Sequence, residues 1–163
     1  MPQFATADLC DQYPNEVQIV APGFFSYGGL PAFAGQMMTV KVFEDNSLVR
    51  AALGEDGTGK VLVVDGGGSL RCALVGDNLA AMGQQHGWQG IVVYGCIRDA
   101  QPISQIAIGL RALGTHPMKS IKQGVGQRDV AVTFSGVRFV PGHFLYADAD
   151  GIIVAAHDLL ADG

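Results

Sequence analysis

The chain has 163 residues, of which 48% are hydrophobic and 15% charged, with 23 glycines, a net charge of −5 and a pI near 5.1. This composition excludes a disordered or fibrous chain and suits one globular domain, residues 1–163, that buries its core without cross-links. An acidic chain with scattered Lys and Arg presents no basic face, which argues against direct nucleic-acid binding.

The first residues, MPQFATADLCDQY, have neither a basic start nor an apolar h-region, so no signal peptide is expected. Residues 5–13 read as a short helix with Thr6 as its N-cap. Thr39 to Phe43 alternates and reads as a strand. Glu44-Asp45-Asn46 then offers an N-cap for a helix through Leu53, and residues 55–60 form a loop. Val61 to Val64 is a β-branched apolar run suited to a strand buried on both faces, as in a parallel sheet. It ends in Asp65-Gly66-Gly67-Gly68-Ser69. Gly76-Asp77-Asn78 opens a helix over Leu79 to His86, with Leu79, Met82 and His86 on one face and Gly87 as its stop. His86 reads as a core or helix-end residue. Ile91 to Tyr94 is a second buried-strand run, which completes a parallel strand–helix–strand unit.

Pro102 to Leu113 reads as a further helix with Pro102 in its first turn. Residues 115–128 read as a loop. Four short strands follow at Val130 to Phe134, Val137 to Val140, Phe144 to Tyr146 and Ile152 to Ala155. They are separated by Ser135-Gly136, Pro141-Gly142 and Asp150-Gly151 turns. The whole is an α/β layered fold with more than one sheet: a parallel strand–helix–strand centre and flanking antiparallel strands. The cysteines, Cys10, Cys72 and Cys96, are odd in number and form no CxxC pair, which suits reduced thiols in the cytoplasm and no cysteine-based zinc site. No apolar run approaches the length of a membrane span.

Ligands of open α/β sheets bind beyond the C-terminal ends of the strands. The topology should therefore bring together the Gly66–Ser69 loop, the helix start at Gly76, Asp77, Asn78 and Leu79, and the Arg98-Asp99 pair. A helix start offers free N–H groups and partial positive charge to a carboxylate or enolate. Arg98 can grip a carboxylate with a bidentate fork. Asp99 is a hard oxygen donor for Mg²⁺ or Mn²⁺, whose remaining positions substrate and water can fill. The site suits a small dicarboxylate. The plainer alternatives are a surface ion pair for Arg98-Asp99, a helix cap for Asp77, and a tight turn for the glycines. Lys60, Lys119 and Lys122 are of the residue type that forms Schiff bases but read as solvated loop charges, and Asp148-Ala149-Asp150-Gly151 lacks the spacing of a calcium loop.

The segments VLVVDGGGSLRCALVGDNLA, GIVVYGCIRDA and YADADGIIV, with Gly35-Gln36 and Val42-Phe43-Glu44-Asp45-Asn46, resemble the family named for regulator of ribonuclease activity A. That family includes the short 4-hydroxy-4-methyl-2-oxoglutarate aldolases. The likeness runs from about Leu9 to Val154. It implies a swivelling β/β/α domain assembled as a homotrimer or a dimer of trimers. Aldolase members carry an Asp, twenty residues, then Arg-Asp, and Asp77 and Arg98-Asp99 keep that spacing. The resemblance places the pyruvyl group on Gly76, Asp77, Asn78 and Leu79, substrate on Arg98 and the divalent metal on Asp99. It implies aldol cleavage to two pyruvates with oxaloacetate decarboxylation as a side activity. Regulator members imply the alternative, a non-catalytic inhibitor that binds ribonuclease E. A methyltransferase would draw only on the glycine loop.

Overall fold

The computed structural model describes residues 3–161. In chain order its elements are α1 (Thr6–Gln12), β1 (Val17–Ile19), β2 (Phe25–Ser26), β3 (Phe33–Lys41), α2 (Ser47–Leu53), β4 (Lys60–Asp65), β5 (Ala73–Val75), α3 (Asp77–Gln85), β6 (Gly90–Ile97), α4 (Ala100–Ile103), β7 (Gly109–Thr115), β8 (Gln127–Arg128), β9 (Val132–Phe134), β10 (Val137–Phe139), β11 (Phe144–Asp148) and β12 (Gly151–Ala155). A ten-stranded mixed sheet has β3, β4, β6 and β7 parallel at its centre. On the β3 side β11, β12 and β1 add antiparallel strands, and β2 closes the other edge. β9 and β10 form a separate hairpin.

The strand sequences explain this layering. Val61 and Val63 of β4 point to one face and pack with Val92, Phe134 and Phe139 beneath the β9–β10 hairpin. Leu62 and Val64 point to the other face and pack with Val49, Leu53, Leu79 and Ala80 of α2 and α3. All four residues are fully buried, as a strand covered on both faces requires. The strand–helix–strand unit expected from the sequence is thus present as β4, α3 and β6.

Several elements differ from expectation. Thr6 is the first residue of α1 and Ala5 its N-cap. The Thr6 N–H and hydroxyl both donate to the Asp148 carboxylate, each at 2.7 Å, so a residue on the far side of the sequence does the capping. That contact also engages the carboxylate on which a calcium loop would rely. The buried face of α3 is Leu79, Ala80 and Gly83 rather than Leu79, Met82 and His86, whereas His86 at the helix end, as its exposed C-cap, and Gly87 as the stop at φ +86° agree with expectation. The helix expected over 102–113 is wrong beyond its first turn. α4 ends at Ile103, and Gly109–Thr115 is β7, paired parallel to β6. The apolar residues there read as helical because a strand buried on both faces has no alternation. Leu110, Arg111 and Ala112 are all buried. No helix among the described residues is long and apolar enough to cross a membrane. Cys10, Cys72 and Cys96 are unpaired.

Candidate active site

A cavity of about 140 Å³ lies where β6 ends, and Gly76, Asp77, Asn78, Leu79, Arg98 and Asp99 all line it. The ends of β6 and β5 are tied together by the Arg98 N–H, which donates to the Val75 carbonyl at 3.0 Å. The next residue, Asp99, stands in the left-handed region at φ 60°, ψ 42°, a conformation that Asp and Asn tolerate better than most side chains. α3 starts at Gly76, which has no side chain to cap it. Asp99 supplies that cap from across the cavity, its Oδ2 accepting the Asp77 N–H at 3.1 Å. Glycine at position 76 leaves room for this approach, since a Cβ there would lie 2.8 Å from the same carboxylate oxygen and would push it aside. Capping of Asp77 leaves the N–H groups of Asn78 and Leu79 as the first-turn donors without an intrahelical acceptor.

Arg98 and Asp99 do not form an ion pair. Among the described residues the ion pairs are Arg71–Glu44 and Arg128–Glu55. Arg98 makes one long side-chain hydrogen bond, to the Pro117 carbonyl at 3.4 Å. Its guanidinium is therefore free of any carboxylate partner, which an anion-gripping Arg needs to be.

The other wall is the 116–126 loop, which brings Lys119, Ser120 and Lys122 to the cavity beside Asn46 and Arg50. Asp45 straps it down. This buried carboxylate accepts the N–H and hydroxyl of Ser47 (2.9 and 2.7 Å) and, across the chain, the N–H groups of Gln123 and Val125 (2.9 and 3.1 Å). Burial pushes the Asp45 carboxyl up, but the four donors outweigh it and bring its pKa down to about 2. The folded value lies below the ordinary one. The stabilisation is therefore complete above about pH 4 and is lost as pH falls toward 2, with a size of about 2 kcal/mol. Asp45→Asn should cost about that much at pH 7, and its urea midpoint should converge on that of the wild type between pH 4 and pH 2. A gap independent of pH would show that the charge does not hold the strap.

The Gly66–Ser69 loop does not join the cavity, contrary to expectation. The chain turns away after β4, and β5 is inserted along the end of β6 before α3 begins. The loop packs on aromatic side chains instead. A Cβ at Gly67 would meet Phe43 at 2.7 Å and one at Gly68 would meet Tyr94 at 3.2 Å. Lys119 and Lys122, read as solvated loop charges, belong to the cavity wall. Arg50 and Ser120 carry no sequence signal for the site, and Asn46 reads as a helix cap and as part of the Val42–Asn46 family segment, without a role in the site.

Residues 6–154 match the RraA-like family, described as Aldolase/RraA. A protein of Aromatoleum aromaticum, provisionally named a 4-hydroxy-4-methyl-2-oxoglutarate aldolase, is 61% identical over 97% of this chain and 99% of its own length. A Dechloromonas aromatica protein with the same provisional name is 59% identical over 96% and 98%. Two solved structures superpose closely. One, described as an S-adenosylmethionine:2-dimethylmenaquinone methyltransferase from Geobacillus kaustophilus, has a TM-score of 0.96 and 52% identity, covering 98% of this chain and 99% of that one. The other, described as the RNA-processing inhibitor RraA from Thermus thermophilus, has a TM-score of 0.93 and 45% identity, covering 98% of each chain.

Proposed function

The chain belongs to the RraA-like family, and on that premise we propose that it is a cytoplasmic carbon–carbon lyase cleaving 4-hydroxy-4-methyl-2-oxoglutarate to two pyruvates. The observation that carries the reading is the unpaired Arg98 guanidinium facing the capped start of α3 and the Asp99 carboxylate in one cavity. The two provisional aldolase names among its relatives support it.

The donor set fits a hard divalent cation. Asp99 is an exposed carboxylate with one oxygen on the Asp77 N–H. Among the described residues no group of three His, Cys, Asp or Glu side chains gathers to make a closed site of the zinc type. Mg²⁺ or Mn²⁺, which retain water and substrate oxygens, match a single carboxylate, so Asp99 is the residue that would hold the ion. Such an ion supplies Lewis acidity toward a 2-oxo acid.

The chain's own groups then have these roles. Arg98 and the N–H groups of Asn78 and Leu79 hold the C1 carboxylate and the negative charge that develops on the 2-oxo oxygen. The positive end of α3 favours that charge in the transition state. A base takes the proton of the C4 hydroxyl, and its electron pair becomes the new C4 carbonyl. The C3–C4 bond breaks, releasing one pyruvate and leaving its bonding pair in the enolate of the other. Protonation at C3 gives the second pyruvate. Asp77 positions the water that carries this proton. Loss of CO₂ from oxaloacetate reaches the same enolate, so decarboxylation accompanies cleavage.

The test is pyruvate release from both substrates with Mg²⁺ and with EDTA. Turnover of both is expected, falling at least about 100-fold on chelation. Absence of turnover in folded protein would sink the reading. A second reading, a non-catalytic regulator that binds ribonuclease E, is favoured by the likeness to the Thermus inhibitor. Capture of ribonuclease E equally by wild type and Asp99→Ala would support it. The exposed apolar residues Phe43, Leu70, Met118, Ile121 and Val125 support burial in a homotrimer, or in a dimer of trimers, which light scattering on a sizing column would test.

A further inference from the structure

A second cavity, of about 260 Å³, opens between the β1–β2 connection and the β11–β12 turn, and Arg111 of β7 lines it. It shares no residue with the cavity that holds Arg98 and Asp99. Arg111 is in register with Val92 of β6, six residues before Arg98. At about 3.3 Å per strand residue the two sites stand about 20 Å apart. Arg111 is only 6% exposed, yet it has no acidic partner, since the ion pairs among the described residues are Arg71–Glu44 and Arg128–Glu55. Its hydrogen bonds to protein both leave from Nη2, to the Pro31 and Asp148 carbonyls at 2.7 and 3.1 Å. Nε is buried without a partner, and Nη1 donates to no group among the described residues. Burial works against the charge of Arg111 and Asp148 favours it. The Asp148 carboxylate is itself engaged by the N–H and hydroxyl of Thr6 and by the Asp150 N–H.

A buried cation without a countercharge is costly, and buried charges are normally paired. Bracing the Phe33 ring, 5.7 Å from the guanidinium, accounts for the two bonds from Nη2 but not for the idle Nη1 at a cavity. The surroundings narrow the missing anion. One cation calls for one negative charge, and the exposed Asp150 at the rim repels a second. Most of the remaining wall is apolar, with Val20, Ala21, Pro22, Phe24 and Ile152. A carboxylate on a short hydrocarbon tail meets both conditions, its head on the guanidinium and its tail against that wall. Inorganic phosphate carries more charge and no apolar part. We propose that this cavity is a binding site for a short-chain monocarboxylate held by Arg111, separate from the candidate active site. The proposal does not depend on the lyase reading.

The test titrates butanoate, butanamide and inorganic phosphate into the ¹⁵N-labelled full chain at pH 7 and low salt, following amide shifts by NMR. Butanoate should move the amides of Val20, Ala21, Gly23 and Phe24 and of Ala149 to Ile152. Its Kd should lie at least about ten-fold below those of butanamide and phosphate. The same shifts should persist in Arg98→Ala, which separates this cavity from the candidate active site. Arg111→Gln keeps an N–H donor and removes the charge, and it should weaken butanoate at least about ten-fold. Should that variant not fold, Asp150→Lys decides. Asp150 is exposed, and its side chain enters no hydrogen bond or ion pair among the described residues, so the fold should stand. Reversing its charge should tighten butanoate about three-fold or more and leave butanamide unchanged. Absence of butanoate binding, shifts confined to Gly76–Leu79, or loss of the second-cavity shifts in Arg98→Ala would overturn the proposal. So would butanamide or phosphate binding as well as butanoate, or an Asp150→Lys affinity equal to that of wild type.

Discussion

Asp99→Asn should remove at least about three orders of magnitude of metal-stimulated pyruvate release while leaving the melting temperature nearly unchanged. The choice of Asn follows from the backbone. Asp99 lies at φ 60°, where Ala is strained by about 1 kcal/mol and Asn is tolerated. Asn also keeps an oxygen to accept the Asp77 N–H, now 3.1 Å from Asp99 Oδ2, so the cap on α3 survives. What Asn cannot supply is the negative charge that a hard cation requires. Asp99→Ala would confound three effects, the lost charge, the lost cap and the added strain. Assays of both substrates beside a thermal melt separate them, and a variant that melted like wild type yet kept its Mg²⁺-dependent turnover would refute the role given to Asp99. Arg98→Lys is the companion. It keeps the charge and loses the fork, and a loss of about ten- to a hundred-fold would mark bidentate grip.

The parts of the fold legible in the sequence are those whose signal is local. The Val61–Val64 and Ile91–Tyr94 runs announce strands buried on both faces, and Gly76-Asp77-Asn78 announces the helix between them. The Ser135-Gly136, Pro141-Gly142 and Asp150-Gly151 turns mark the C-terminal strands, all of which are present. β1, β2 and β5 have two or three residues each and take their conformation from the strands they join, so no periodicity marks them. The site divides in the same way. Gly76 to Leu79 and Arg98-Asp99 could be brought together from the strand–helix–strand topology alone. Ser120, Lys119 and Lys122 could not, because the 116–126 loop reaches the cavity through Asp45, whose backbone partners Gln123 and Val125 are 78 and 80 residues away, and Asn46 is placed by the Leu74 carbonyl, 28 residues away.

The misread β7 leads to the largest expected effect on stability. Gly109 of β7 and Gly90 of β6 are partners in adjacent parallel strands, and the fully buried ring of Phe33 lies against both. A Cβ at Gly109 would come within 2.0 Å of Phe33 Cδ1, and one at Gly90 within 2.2 Å of Cδ2. The ring has little room to retreat. The Arg111 guanidinium sits 5.7 Å from its centre, held by the Pro31 and Asp148 carbonyls at 2.7 and 3.1 Å. A glycine, which weakens both helix and strand, fits here because the aromatic ring occupies the place of its side chain. Gly109→Ala should cost about 3 kcal/mol, near the upper end for overpacking, and lower the melting temperature by roughly 10 °C in a chain of this size. Phe33→Leu, which trims the ring, leaves a cavity and is destabilising alone. Combined with Gly109→Ala it should recover about 1 kcal/mol or more relative to the sum of the single changes, since each relieves the defect made by the other. Additive losses in that cycle would mean that the clash is absorbed by the β6–β7 backbone. Because β6 carries Arg98 and Asp99 at its end, a shifted backbone would also lower turnover per folded molecule, which the ring-trimmed double variant should restore.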